Sequence, residues 1–446
     1  MKIEANLDEL RGYETDGESM NCQEEIVREL DEVDRRARAL LDDLDDSQLA
    51  VPYSRGINPP VWELGHVAFF YEYFLLRELA GNHARMPGYD DIWDSFEISH
   101  KHRWTPGVVP EKSRMLEYYG GVIAEARQRL TRGEISGKER YLFRYVIHHH
   151  QMHLESLIWA RQTLGYPKPD LHQGELAVPQ ASCVSGDAKI DGGEFFIGKP
   201  PLSSGEFSFD NERPGHRVEV DPFEISKTLV TNGEFLQFVE GGGYQNEKLW
   251  DFGGRCWLAD RPEEVRGMPE YWRREDDGSF RHRKFDRWEV LPPDAPVLHV
   301  SVFEAEAFCR WSGRRLPTEQ EWEAAARGTG ALDFPWGRTA IASSKVDMDG
   351  TYFGTAPASA FEEGASESGC LQMVGTAWEW TSNQFLPYAG FEIDMYHYMS
   401  VLQFGDHRVT KGGSCATSSG LIRNSYRQAY LPGRTDVFTG FRTCAK

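Results

Sequence analysis

Apolar residues recur at steps of three and four through the first third of the chain. They then give way to short alternating runs. In Gln23 to Leu44 the apolar positions are Ile26, Leu30, Val33, Ala37, Leu40, Leu41 and Leu44, with acidic residues and arginines between them. That period places them on one face of a helix. Pro59-Pro60 predicts the start of a second helix, about Val61 to Leu79, stopped near Gly81. After a looser stretch holding Trp93, Phe96 and Trp104, a third helix is predicted over about Pro110 to Leu130. A fourth runs over about Lys138 to Leu164, ended by Gly165-Tyr166-Pro167. Four helices of this length fit an antiparallel bundle, an architecture that builds metal sites from inward-facing side chains.

From Pro167 the texture changes. Residues 166–185 read as a proline-punctuated linker between a helical domain, 1–165, and a second domain, 186–446. In the second domain short strands alternate with glycine-rich turns, as in Gly192 to Gly198 and Arg217 to Val220. Helical stretches interrupt them at Asn232 to Glu240 and Phe303 to Trp311. A third begins at Thr318, where Thr318-Glu319-Gln320-Glu321 is a capping box. The chain is therefore read as α+β.

Composition narrows the function. Across 446 residues, 40% hydrophobic and 13% aromatic content support packed globular domains rather than disorder. The formal net charge of −21 disfavours nucleic acid and anionic membranes as partners. The seven cysteines form no CxxC pair and are odd in number. With no secretory pattern over the first 20 residues, this predicts a reducing, cytoplasmic compartment. No apolar run is long enough to span a bilayer. Nothing here fixes whether the chain is a monomer or a homo-oligomer.

The candidate chemistry lies in three histidines. His149 and His153 stand four residues apart, which stacks their side chains on one helix face. His66 lies on the second predicted helix. Three imidazoles converging from two helices make a facial site for a divalent transition metal, with positions left open for other ligands. The register is open at this level: His150 with His153 also fits one face, and His148 is a further candidate.

Several phrases of the second domain are specific. They are Arg314 to Ala326, Phe334-Pro335-Trp336-Gly337, Met373 to Thr381, Lys411-Gly412-Gly413-Ser414 and Gly440-Phe441-Arg442. In this order they resemble the formylglycine-generating-enzyme (sulfatase-modifying factor) fold, a loop-rich domain similar to C-type lectins. Formylglycine-generating enzymes carry a cysteine pair five positions apart near the C-terminus; here Cys415 is matched by Gly420, so that activity is not implied. Pro59 to His66, followed by the HxxxHxE pattern of His149, His153 and Glu155, resembles the DinB-like bundle of ergothioneine-pathway sulfoxide synthases. These join such a bundle to this same second domain. Selenoneine synthases share the architecture, and Asp94-Ser95, Arg103-Trp104, Arg161 to Tyr166 and Phe285 to Trp288 look at least as close to that branch. No methyltransferase domain of the ovothiol type follows.

The resemblance implies Fe(II) held by His66, His149 and His153, with the motif favouring His149. It also implies O2-dependent formation of a carbon–sulfur bond, with oxidation to a sulfoxide, at imidazole C2 of hercynine (trimethylhistidine). The sulfur comes from a thiol donor; in the selenoneine branch a selenosugar forms a C–Se bond instead. Tyr396 is implied as proton donor, with Tyr388 and Tyr398 as neighbouring alternatives. Arg434 and Arg103 are implied as holders of substrate carboxylates. Gln428-Ala429-Tyr430 replaces an Asn-Trp-Asp run of the mycobacterial type, and Met152 replaces a glutamine that touches the imidazole. The acid that would pair with the amine of γ-glutamylcysteine is thus missing, and Gln428 and Tyr430 take over contacts there. Trp378, Trp380 and Tyr430 are candidates to face the trimethylammonium group through cation–π attraction. For Arg434 the competing reading is a structural ion pair, and for the two tryptophans core packing. A noncatalytic small-ligand-binding module is the alternative from another functional class.

Overall fold

The computed structural model describes residues 20–172, 176–201, 207–339, 341–396 and 399–446, with side chains from residue 23 onward. Tyr398 and the Cys22 side chain lie outside the described residues. The chain divides into two compact units. One comprises Met1–Leu171, Pro200–Ser208 and Ile393–Met399; the other comprises His172–Lys199, Phe209–Glu392 and Ser400–Lys446.

The first unit is built on four helices. The first spans Met20–Ala39 and the second Pro60–Tyr71, which runs on as a π-helix over Glu72–Arg77. The third spans Lys112–Thr131 and the fourth Gly137–Leu164. The first packs on the fourth and the second on the third. Pro60 sits in the first turn of its helix, where its missing N–H costs nothing. Ser136 and Glu139 close a capping box at the start of the fourth helix, and Gly165, at φ 68°, ends it in the left-handed conformation.

Two departures from the periodic reading have visible causes. The first helix stops at Ala39, although Leu40, Leu41 and Leu44 are buried as their spacing requires. Their carbonyls are taken by cations from other helices. Lys112 Nζ donates to Leu41 O at 3.2 Å and Leu44 O at 3.1 Å, and Arg161 donates to Leu40 O at 3.2 Å. The second helix widens at Glu72, whose fully buried carboxylate accepts from Tyr118 Oη at 2.5 Å and Arg77 at 2.9 Å.

Two later segments belong to this unit. Phe207 packs on Tyr141, Tyr145 and His148, an i, i+4, i+7 stripe of the fourth helix. From the Ile393–Met399 segment, Asp394 accepts a hydrogen bond from Tyr141.

The second unit holds short sheets tied together by loops. Strands β1 (Asp187–Ile190) and β4 (Phe223–Ser226) pair antiparallel, as do β2 (Gly193–Ile197) and β3 (His216–Val220). The largest sheet runs β10 (Gln428–Tyr430), β9 (Arg408–Lys411), β8 (Trp378–Gln384), β11 (Thr439–Gly440), with β11 parallel to β8. The helices Asn232–Glu240, Val302–Ser312 and Glu319–Arg327 appear where the pattern puts them, the last behind the Thr318 capping box. A helix over Phe252–Asp260 and a three-stranded sheet of β5 (Trp272–Arg274), β6 (Phe280–Lys284) and β7 (Arg287–Val290) are not legible in that pattern. Strand β6 reads Phe-Arg-His-Arg-Lys and is buried only at Phe280, so no apolar alternation marks it.

Buried ion pairs hold these loops. Arg442 and Glu379, both fully buried, meet in two bonds of 2.6 and 2.8 Å, and Lys411 meets Glu323 at 3.0 Å. Gly412 adopts φ 93°, and a Cβ there would stand 2.5 Å from Met373 O, which explains the Lys-Gly-Gly-Ser phrase. The cysteines with described side chains are free. Among the described residues no helix is long and apolar enough to cross a membrane.

Candidate metal centre

His66, His149 and His153 each present a ring nitrogen such that all three nitrogens lie within 4.8 Å of one another. The second helix supplies the first and the fourth helix the other two. Among the described residues this is the cluster of His, Cys, Asp and Glu side chains with metal-binding geometry.

Each ring is oriented by a different device. His66 Nδ1 donates to the carbonyl of Trp93 at 2.6 Å, which leaves Nε2 with its lone pair facing the cluster. Its ring stacks on Trp62 at 4.8 Å and 13°. The approach of Trp93 requires Gly65: a Cβ there would lie 2.6 Å from the indole. His153 Nδ1 donates to Glu63, which also accepts from Asn58 and Ser156 at 2.8 Å each. A carboxylate behind an imidazole fixes the tautomer and raises the basicity of the other nitrogen, as behind many metal-bound histidines. His149 is held by stacking, its ring 3.6 Å from that of Phe70 at 7°.

The donor set fits a divalent metal. With Nδ1 of His153 committed to Glu63, its Nε2 is an acceptor, and it stands 3.1 Å from Nε2 of His149. Two nitrogens bound to one ion at right angles, with bonds of about 2.1 Å, would be about 3 Å apart. Burial, and then the neighbouring His153, push His66 down to about 3 and His149 well below the usual imidazole range, so both rings are neutral at physiological pH and able to donate to a metal. Burial pushes Glu63 up, but His153, Asn58 and Ser156 outweigh it and bring it to about 2. Neutral imidazoles suit Fe, Cu, Ni and Zn, and three of them leave coordination positions open.

The neighbouring histidines turn elsewhere. His148 Nδ1 meets Gln151 Oε1 at 2.9 Å, and His150 Nδ1 lies 3.3 Å from the Tyr71 hydroxyl. Glu63, Asn58, Ser156 and Trp93 were not singled out from sequence. A signal was present for Glu63, which precedes His66 by one helical turn. We expect Glu63→Gln to weaken divalent-metal binding by roughly 10–100-fold. An anaerobic titration checks this, with circular dichroism to verify that the fold is kept.

The remaining sequence candidates divide between the units. In the bundle unit, Tyr396 is buried, with its ring 5.0 Å from Phe70 and 6.0 Å from Phe96. Arg103 lies 3.9 Å over the Trp62 ring and donates to Asn58 Oδ1 at 2.6 Å and Ser95 O at 2.9 Å. Burial brings it down to about 10 against the opposing attraction of Glu63, to which it makes no hydrogen bond among the described residues. Met152 is half-buried on the fourth helix.

In the second unit, Arg434 meets Asp436 through bonds of 2.6 and 2.7 Å. Trp378 and Trp380 are fully buried, each 6.4 Å from the Tyr430 ring, and Trp380 donates to Val300 O at 2.7 Å. Gln428 is half-buried in β10, and its side chain accepts from the Ala429 N–H at 2.9 Å. Tyr388 donates to Glu319 at 2.6 Å beneath Arg427, a structural role.

Known proteins share both halves of this architecture. Residues 175–446 match the family described as Sulfatase-modifying factor enzyme 1-like domain, and residues 29–157 match the DinB superfamily. A hercynine oxygenase of Mycolicibacterium thermoresistibile is 34% identical over 435 residues, covering 94% of this chain and 94% of that protein. The chain belongs to the hercynine oxygenase family. A second member, from Mycolicibacterium smegmatis, is 35% identical over 438 residues, covering 95% of this chain and 99% of its own. The formylglycine-generating enzyme of Streptomyces coelicolor is 31% identical over 308 residues, covering 63% of this chain and 94% of that protein. Among solved structures, PvdO from Pseudomonas aeruginosa aligns with a TM-score of 0.41 at 21% identity, covering 57% of this chain and 92% of its own.

Proposed function

We propose that this protein is a nonheme Fe(II), O2-dependent synthase that joins a thiol or selenol donor to imidazole C2 of hercynine. The observation that carries the reading is the triad of His66, His149 and His153, with two of its Nδ1 atoms engaged by Trp93 and Glu63, in a member of the hercynine oxygenase family. Bound there, Fe(II) supplies the activation of O2.

The chain's own residues do the rest. The hydrogen bonds to Trp93 and Glu63 hold two Nε2 atoms toward one point, so no reorganisation is needed when the metal and substrate arrive. Arg103, buried and hydrogen-bonded to Asn58 and Ser95, is the group we assign to a substrate carboxylate. Tyr396 has its ring against Phe70, the residue that stacks on His149, and we assign its hydroxyl as proton donor during bond formation. Tyr396→Phe is expected to slow formation of the hercynine adduct by about 100-fold, the lower end for a lost proton donor, while oxidation of the donor alone persists. An unchanged ratio of adduct to oxidised donor would remove the assignment.

The identity of the donor is tested by a panel. Hercynine is incubated under air with cysteine, γ-glutamylcysteine or a selenosugar, and the products are identified by mass. We expect adducts with a thiol; exclusive use of the selenosugar would move the protein to selenoneine synthesis. Gln428-Ala429-Tyr430, which lacks the acid of the mycobacterial Asn-Trp-Asp run, favours a donor other than γ-glutamylcysteine. If hercynine binds yet no donor reacts, the noncatalytic binding reading takes over.

A further inference from the structure

A proton donor works only if its hydroxyl keeps one position, yet Tyr396 stands in a segment with no helix or strand among its described residues. Its ring rests against Phe70 at 5.0 Å, Phe96 at 6.0 Å and Phe74 at 6.4 Å. These ring contacts confine the side chain. Two residues upstream, the segment makes a directional contact with the bundle. Tyr141, fully buried near the start of the fourth helix, donates its hydroxyl to Asp394 Oδ2. The other carboxylate oxygen accepts the N–H of Met395 at 2.7 Å, so one side chain fixes both its link to the helix and the backbone leading into Tyr396. Tyr141 is itself held in place, with Phe207 at 5.2 Å and Tyr145 at 6.1 Å.

We propose that Tyr141 and Asp394 form a latch that seats residues 393–396 on the bundle and thereby positions the Tyr396 hydroxyl. Tyr141 is a positioning residue: it touches neither substrate nor metal. This inference rests on the role given to Tyr396 above. It adds that the tyrosine's aim is set from the fourth helix, which also carries His149 and His153. A single rigid element thus orients both the metal ligands and the proton donor.

The test uses the full chain. In Tyr141→Phe, hydrogen exchange at the amides of Met395 and Tyr396 is expected to speed up about tenfold, the loss of one buried hydrogen bond. Product partition should move toward donor oxidation, in the direction of Tyr396→Phe, while KM for hercynine stays within about twofold, because substrate contacts are untouched. Asp394→Ala should reproduce both effects. Asp394→Asn keeps an acceptor oxygen and should restore most of the parent behaviour. The double variant Tyr141→Phe with Asp394→Ala should be no worse than the worse single one, since both remove the same bond.

Unchanged exchange in Tyr141→Phe overturns the latch. Faster exchange with unchanged partition, where Tyr396→Phe does shift it, overturns the positioning role and leaves the function of Tyr396 standing. If Tyr396→Phe itself leaves partition unaltered, its role as proton donor falls and the latch has no catalytic consequence; the exchange result separates that case from the first.

Discussion

His66→Ala is expected to abolish stoichiometric Fe(II) binding, with a loss of affinity exceeding the roughly 10–100-fold typical of losing a residue behind the ligands. His66 is the ligand supplied by the second helix; without it, His149 and His153 remain as a pair on one helix face, and a pair lacks the third point that makes the site facial. The substitution also leaves a hole between Trp62, stacked on the His66 ring at 4.8 Å, and Phe70 at 5.0 Å, so water and not nitrogen would meet the metal there. Anaerobic titration with Fe(II), and with Co(II) as a coloured substitute, measures the loss. His150→Ala is the control for register: it lies beside His149 but faces Tyr71, and it should bind iron as the parent does. Loss of iron in His150→Ala with retention in His149→Ala would contradict the ligand assignment.

Arg442→Met is expected to lower the stability of the second unit by about 3–5 kcal/mol, the cost of stripping one partner from a buried ion pair. Arg442 makes two bonds to Glu379 and donates further to the carbonyls of Ser226, Lys227 and Leu371, all from a fully buried position. The bonds to Ser226 and Lys227 lie at the end of β4, and Glu379 lies in β8, so one side chain ties distant segments together. In a unit of this size the loss corresponds to a fall of about 10 °C in Tm. The pH dependence has a definite sign. Burial already raises Glu379 against the opposing pull of Arg442, and removing the guanidinium raises it further. A carboxyl raised in the folded state binds more protons folded than unfolded, so the deficit should shrink as pH falls and grow as it rises. Replacing both residues together, by Arg442→Met with Glu379→Leu, should recover much of the stability, because no buried charge is left alone. A double variant less stable than Arg442→Met would refute this account of the pair.

The elements that were legible from sequence are those in which one periodicity dominates. The bundle helices, the capping box at Thr318 and the histidine spacing all follow from local pattern. The hidden parts depend on contacts between residues far apart in the chain. The first helix is cut short by Lys112 and Arg161, and the π-turn is set by the Glu72 network. Strand β6 carries Arg281, His282, Arg283 and Lys284 in a row after Phe280 and looks like a solvated loop. The metal site divides in the same way. Its ligands show as a spacing, but the carboxylate behind His153, the carbonyl behind His66 and the Asp394 contact of the Tyr396 segment exist only once the chain is folded. Arg434 illustrates the converse: a residue matched by resemblance is engaged by Asp436, two residues along.

The central claim is that a bond forms at imidazole C2 of hercynine in an iron- and O2-dependent reaction. The most direct measurement follows the C2 proton of hercynine by NMR, with iron-loaded protein, a thiol donor and air. This resonance is expected to disappear as the donor is consumed, and to persist without O2 or in His66→Ala. A C2 proton that survives while iron is bound and the donor is oxidised would contradict it.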